Sequence, residues 1–489
     1  MSKQKSIKLN FIMNALLTMS SFIFPLITFP YVSRILSPVG TGRVNFATSF
    51  VSYFTMAAQL GIPTYGIRAC ASIRDDKTKL TRTVHELLFI NLVMSAVSYL
   101  VFFILLFTVP KLQEDRTLYI IVSANILLTS IGMEWLYKAL EQYTYITVRS
   151  IIFKFIALIA MFALIHKQED YVIYGGISIF AGCASNVMNF MNAHKYVGVR
   201  PVGGYDVRRH LKAVGVFFAM SCATTIYLHL DTIMLKFMTT DADVGYYGAA
   251  TKIKTILVSI VTSLGTVLLP RVSYYIKQNQ MTEFRNITKK ALNFVFLLAS
   301  PLTVYFMIFA KQGIYFLSGK DYDGAILPMQ IIMPTLILIG ITNILGIQIL
   351  VPLGKEKYVL YSEIAGAVTD LILNAILIPV CASSGAAIGT LVAEFVVLVV
   401  QYIVLRDEVK PAFSAVKYYK IIIALLIGTA ASVWVLWLKL ESSFLTLLIS
   451  ACLFFLAYGI VLIFMKEALV IDILNQISMK LLKKPIIKK

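Results

Sequence analysis

Fourteen apolar stretches, each long enough to cross a bilayer, run through this chain almost from end to end. An α-helical span needs about 20 mostly apolar residues. Inside lipid every backbone polar group must be satisfied within the spanning structure, and continuous apolar runs of this length do so as helices. We place the spans at 11–34, 42–63, 84–109, 118–140, 146–165, 171–194, 211–236, 243–269, 287–310, 325–351, 358–379, 385–405, 418–438 and 444–465. The expected fold class is therefore an all-α polytopic membrane protein with 14 transmembrane helices and no room for a sizeable soluble domain. A composition that is 58% hydrophobic, with a mean hydropathy of +0.80, agrees. The N-terminus is basic, but no small-residue cleavage site follows it. The first span is also too long for a signal-peptide core, so it reads as a retained helix.

The formal charge of +19 invites a nucleic-acid partner, but its distribution points elsewhere. With the N-terminus in the cytoplasm, the termini and the connections after even-numbered spans hold most of the Lys and Arg. Arg68, Arg74, Lys77, Lys79 and Arg82 follow span 2; Lys195, Arg200, Arg208, Arg209 and Lys212 follow span 6; Arg271, Lys277, Arg285, Lys289 and Lys290 follow span 8. This is the positive-inside pattern. It places both termini in the cytoplasm and sets the basic runs against anionic lipid rather than nucleic acid. The five cysteines, Cys70, Cys183, Cys222, Cys381 and Cys452, are far apart and form no Cys-x-x-Cys pair. They read as small packing residues, and neither a metal nor a cofactor is expected. Along the tail, Leu469, Val470, Ile473, Leu474, Ile477, Leu481 and Leu482 recur at helical spacing before a run of lysines. That pattern describes an amphipathic helix on the inner leaflet.

The chain also echoes itself at a separation of about 203 residues. Gly42, Ala47 and Thr48 have the spacing of Gly245, Ala250 and Thr251. Arg68 follows Ala47 as Arg271 follows Ala250, and Arg82 matches Arg285. Six spans separate the copies, so both have the same orientation in the membrane. Parallel repeats of this kind are related by an axis along the membrane normal, with substrate near the midplane. The expected division is a first lobe at 1–204 (spans 1–6) and a second at 205–410 (spans 7–12). An extra pair of spans at 411–465 and the amphipathic cytoplasmic tail at 466–489 complete it.

Three segments carry a family resemblance: PLITFPYVSRILSPVGTGRV at residues 25–44, HLDTIMLKFMTTDADVGYYGAATKI at 229–253, and GKEKYVLYSEIAGAVTDLILNAILIPVCASSGAAIGTLVAEF at 354–395. They resemble the Wzx-type polysaccharide-unit flippases, in the polysaccharide branch of the multidrug, oligosaccharidyl-lipid and polysaccharide exporter superfamily. The resemblance implies that an undecaprenyl-diphosphate-linked oligosaccharide is moved from the inner to the outer leaflet of a bacterial plasma membrane by alternating access. Capsule, O-antigen or exopolysaccharide synthesis would be its setting. A polysaccharide polymerase and glycosyltransferases of the pathway are the partners it implies.

Charges within spans cost several kcal/mol and tend to face a wet cavity or a partner. Lys252 lies near the middle of span 8, where Gly248, Lys252, Thr255, Ser259, Thr262 and Thr266 recur at three- or four-residue steps. One helix face is thus small and polar. Lys252 reads either as a contact for the diphosphate or as half of a structural ion pair. Lys254 points to the opposite side, as a paired or snorkelling lysine. Arg43 opens span 2 beside Phe46 and Phe50, as a head-group contact or an interfacial arginine. Asn14, Thr18, Ser21, Pro25 and Thr28 form a polar stripe on span 1, and its prolines invite a bend suited to a lateral gate. Tyr227, Tyr246 and Tyr247 suit stacking on sugar rings, or an interfacial aromatic belt. Asp231, Asp370 and Glu394 are candidates for ion pairing or for a coupling cation or proton.

Two other functions compete with the flippase. A drug/cation antiporter of the same superfamily would place acidic groups, not a lysine, in its cavity. A membrane polymerase or ligase would need a sizeable outer loop with acid–base residues, which these short connections lack. No Gly-rich phosphate-binding motif is present for ATP.

Overall fold

The structure is a computed structural model that describes residues 7–278 and 280–481, and those residues contain helices and no strand. They divide into two compact units, Met1–Gly248 and Ala249–Lys489.

The first unit begins with α1 (Ile7–Gln59), whose 53 residues would measure about 80 Å if straight. Pro25, Pro30 and Pro38 lie inside it, and it is broken at Ser37 (φ 58°, ψ 177°). The break falls immediately before Pro38, and a proline disfavours the helical region for its predecessor. A second break at Leu60 and Gly61, both with positive φ, leads into α2 (Ile62–Ala71). There follow α3 (Lys77–Thr108), the single turn α4 (Pro110–Gln113), α5 (Arg116–Ile131) and α6 (Glu134–Ala139). Next come α7 (Tyr143–Leu164), α8 (Tyr171–Ile179) and, through a π-helical turn, α9 (Ser185–Asn192). The unit ends with α10 (Arg208–Met238) and the first turns of α11 (Asp241–Lys277). Small residues let helices approach closely: Gly66 lies under the Trp135 ring and Gly132 under Asn186. Polar groups between the helices find partners, as the Ser95 hydroxyl does on Ser130 at 2.9 Å. The Arg149 guanidinium likewise donates to the Ser185 carbonyl at 2.9 Å. Such pairs hold membrane helices together where hydrophobicity cannot.

The second unit holds the rest of α11. It continues with α12 (Met281–Ile308), α13 (Ala310–Leu317), α14 (Ile326–Ile332) and α15 (Thr335–Asn343). The stretch Lys320–Ile332 meets Thr335–Leu350 at a bend of 47°. Then come α16 (Glu356–Val404), α17 (Arg406–Ser414), α18 (Tyr418–Val433), α19 (Ser443–Phe464) and α20 (Ala468–Leu481). Within α16 the helix breaks at Ala382 (φ 47°). A Cβ at Gly385 would come within 2.5 Å of the Leu377 carbonyl, so the limbs either side of the break touch through backbone.

Ten helices of the described residues are long and apolar enough to cross a membrane, or eleven if the bent pair is one span. The protein is therefore a multi-pass membrane protein. The difference from the fourteen expected spans is partly one of continuity: α1 runs through both 11–34 and 42–63, and α16 through both 358–379 and 385–405. The tail also differs from a helix that meets only lipid. Leu469 and Val470 of α20 pack against a core of Leu297, Val416, Ile421, Tyr458 and Leu462. The Lys420 ammonium donates to the Met465 and Lys466 carbonyls at 2.7 and 2.9 Å. Residues 482–489 of the expected tail lie outside the described residues.

Candidate functional site

In the first unit the chain brings charges together where α1 breaks. Arg43, one turn beyond Pro38, donates through Nε to Asp241 at 3.2 Å and through Nη1 to Asp115 at 3.4 Å. Asp115 also accepts from the Tyr171 hydroxyl at 2.7 Å, and the Arg43 guanidinium lies over the Tyr171 ring, 5.1 Å from its centroid. Asp241 is shared: its other oxygen accepts from Lys236 Nζ at 2.5 Å. Lys236 is buried and its ammonium lies 5.9 Å from the centre of the Phe46 ring. The Asp115 side chain is buried too, and one of its oxygens, Oδ2, meets no hydrogen-bond donor among the described residues. Arg43 and Lys236 thus share Asp115 and Asp241 in a partly buried knot, with exposed Glu114 3.8 Å from Lys236 at its edge. In such a setting, loss of one partner is costly even where the intact pair adds little net stability.

Beside this knot two helix starts cross with almost nothing between them. A Cβ at Gly42 would run into the Asp241 carbonyl, and one at Gly245 into the Pro38 carbonyl. Positions 38 and 241, and 42 and 245, are each 203 residues apart, the interval expected of a repeat. The contact is reciprocal: each glycine lies against the carbonyl four residues before the other.

Along α11 the sequence pattern becomes a division of faces. Ile253, Leu257 and Val261 are buried, whereas Thr255 is exposed and Lys252, Ser259 and Thr262 are half-buried. The hydroxyls of Thr255 and Ser259 bond back to the carbonyls of Thr251 and Ile256. That spares their protons from solvent without using up the oxygens' acceptor capacity. Lys252 thus stands on a small hydroxylated face and Lys254, half-buried, on another.

Of the remaining sequence candidates, Asn14 and Ser21 are exposed on α1, and Ser21 accepts from Lys154 Nζ at 3.0 Å. Tyr246 is half-buried; its neighbour Tyr247 is buried and donates its hydroxyl to the carboxylate of Asp231. In the second unit Asp370 is buried one turn from Asn374. A Cβ at Gly389 would strike the Asn374 side-chain oxygen and approach Asp370 Oδ1 at 2.9 Å, so both oxygens face the second limb of α16. Glu394 is buried on that limb.

Sequence reading passed over Asp115, Asp241 and Lys236. A signal existed: Asp115 and Asp241 are acids in short connections on the side assigned to Arg43, and Lys236 closes an apolar span.

The sequence profile of the polysaccharide biosynthesis protein family matches residues 7–276, and that of the MatE family matches residues 217–376. An Escherichia coli protein named "Putative O-antigen transporter" is 24% identical over 405 residues, covering 82% of this chain and 97% of that protein. A protein of the same name from Shigella dysenteriae is 23% identical over 398 residues, covering 80% and 98%. Among solved structures, a lipid II flippase in an inward closed conformation superposes with a TM-score of 0.70 at 16% identity, covering 93% of this chain and 99% of that one. This last likeness is one of fold. By the profile match over more than half its length, the chain belongs to the polysaccharide biosynthesis protein family, in the polysaccharide transporter branch of the multidrug, oligosaccharidyl-lipid and polysaccharide exporter superfamily.

Proposed function

We propose that this protein is a flippase that carries an undecaprenyl-diphosphate-linked oligosaccharide from the inner to the outer leaflet of a bacterial plasma membrane. The observation that carries the reading is Lys252 on the small hydroxylated face of α11. A lysine at membrane depth costs about 2.5–3.5 kcal/mol on insertion scales, and a diphosphate is the kind of charge that repays it. The relatives named for O-antigen transport support the substrate class.

In this proposal the chain crosses the membrane fourteen times, with α1 and α16 each crossing twice, and both termini are cytoplasmic. The lobes 1–204 and 205–410, the pair 411–465 and the tail 466–489 remain the working division. Lys252 meets the diphosphate. Thr255, Ser259, Asn14, Ser21 and Tyr246 offer hydrogen bonds and a ring face to sugars. Arg43 acts on the outer side, where its bonds to Asp115 and Asp241 must be exchanged if it is to touch the head group. Asp231, Asp370, Glu394 and Lys254 are the groups available for coupling to a cation or proton. The site is exposed alternately to the two sides while the lipid tail stays in the bilayer. Keeping the tail in lipid avoids a transfer cost of about 0.8 kcal/mol per methylene. A polymerase and glycosyltransferases would consume and supply the repeat unit.

The test is translocation in proteoliposomes, scored by access of an external lectin or glycosidase to the sugar. Protein-dependent exposure that Lys252→Ala abolishes supports the assignment. No exposure by folded protein, with several head groups tried, overturns it. A second reading, an ion-coupled antiporter, draws on the MatE match over residues 217–376 and the buried Asp370 and Glu394. It calls instead for proton- or sodium-driven efflux of organic cations in the same vesicles.

A further inference from the structure

Where the end of α2 and the first turns of α3 and α10 converge, the first unit opens a pocket of about 300 Å³. Its wall carries three cations, Lys79, Arg82 and Arg209, and the hydroxyls of Tyr65, Ser72 and Thr83. None of its lining residues is acidic. Two nearby acids are already engaged. Glu86, fully buried beneath the pocket, takes Arg209 at 2.5 Å, His210 at 2.8 Å and the Asp206 backbone N–H at 2.7 Å. Asp76 takes Lys79 at 3.2 Å and caps α3.

Arg82 differs from the other two cations. It forms no ion pair among the described residues, and its Nε is fully buried without an acceptor among them. Its guanidinium packs over Gly204, where a Cβ would come within 3.3 Å of Cζ. A guanidinium N–H removed from water without an acceptor destabilises the fold, and an anion in the pocket, whose wall Arg82 forms, offsets the uncompensated charge. Arginine's planar fork matches two oxygens of a phosphate, with a lysine adding a point charge. The volume lies at the lower end of small-ligand sites, about 300–1,000 Å³. The charge pattern along the chain assigns this face to the cytoplasm.

We propose that this pocket binds the phosphate of a lipid head group at the inner leaflet, with Arg82 as its principal contact and Lys79 and Arg209 beside it. Two sources share that chemistry: an acidic phospholipid and a diphosphate-linked lipid. The proposal does not rest on the transport reading, because binding is measured without transport.

The experiment titrates the purified full chain, in uncharged detergent, with short-chain phosphatidylglycerol and with inorganic diphosphate. Phosphatidylcholine of the same chain length is the control lipid. Wild type should bind phosphatidylglycerol, diphosphate or both, and phosphatidylcholine no more than weakly. Arg82→Gln should weaken binding about tenfold or more, and exposed Lys417→Gln should leave it unchanged. Competition by diphosphate means that the phosphate group alone is recognised. Binding of phosphatidylglycerol without such competition means that the phospholipid head is the ligand. If Arg82→Gln does not fold, Arg82→Lys decides, since it keeps the charge and loses the fork, and should bind several-fold more weakly. Failure of both probes to bind, or wild-type affinity in the folded variant, overturns the proposal.

Discussion

Single side chains carry opposite kinds of charge logic in this molecule. Lys252 stands among hydroxyls on α11, while Lys236 is buried against Asp241 at 2.5 Å. In the proposed function Lys252 meets a ligand, whereas Lys236 is held in an internal ion pair, so the two lysines should respond differently to removal. Lys252→Ala should lower translocation at least tenfold, a loss of about 1.4 kcal/mol or more in transition-state binding, with the amount of folded protein unchanged. Near-normal transport by that variant would remove Lys252 from the site. Lys236→Met should instead lower stability by about 2 kcal/mol. That lies under the ~3–5 kcal/mol of a wholly uncompensated charge, because Arg43 still reaches Asp241. Unfolding midpoints in detergent report it, and an unchanged midpoint would mean that the knot contributes nothing to stability.

At the scale of elements, the helix ends set the strain and the pH response. Ser37 holds φ 58° and ψ 177°, a region populated almost wholly by glycine at a cost of about 1–3 kcal/mol. Ser37→Gly should therefore stabilise the protein by about 1 kcal/mol, read as a raised thermal midpoint; a lowered one would show that the serine side chain matters more than the backbone. Asp76 caps α3 by accepting from the Lys79 and Thr78 backbone N–H groups at 3.0 and 3.1 Å. The Lys79 backbone bond, chiefly, holds its carboxyl below the usual 3.8. Because the folded value is depressed, the cap's contribution is present above pH 3.8 and fades as pH falls further, through the folded value. Asp76→Asn keeps an acceptor without the titration, so its unfolding midpoint should change less between pH 5 and pH 3 than that of wild type.

Much at this scale was legible from residue type alone. Apolar runs marked the helices, and the three- and four-residue recurrence of Lys252, Thr255 and Ser259 separated the faces of α11. The partners of Arg43 were not legible, because Asp115 and Asp241 lie 72 and 198 residues away and no periodicity links them. Nor was the docking of α20, whose amphipathic pattern suits a protein surface and a lipid surface equally well.

The whole molecule poses the question of sidedness. The charge pattern assigns the connection after α2 to the cytoplasm and that after α3 to the outside. A cysteine placed at Ser72 in a background without native cysteines should react with an impermeant reagent only after the membrane is opened, and one at Gln113 from outside in intact cells. The reverse labelling would invert the topology and, with it, the direction proposed for transport. The reciprocal contact of Gly42 and Gly245 has a consequence for inheritance rather than architecture. Either side chain, once introduced, forces the same two backbones apart, so a second substitution finds the space already opened. Valine at both positions should cost clearly less than the sum of the single changes. The two sites then behave as one locus: neither drifts alone without penalty, and the close crossing is kept by what both positions lack.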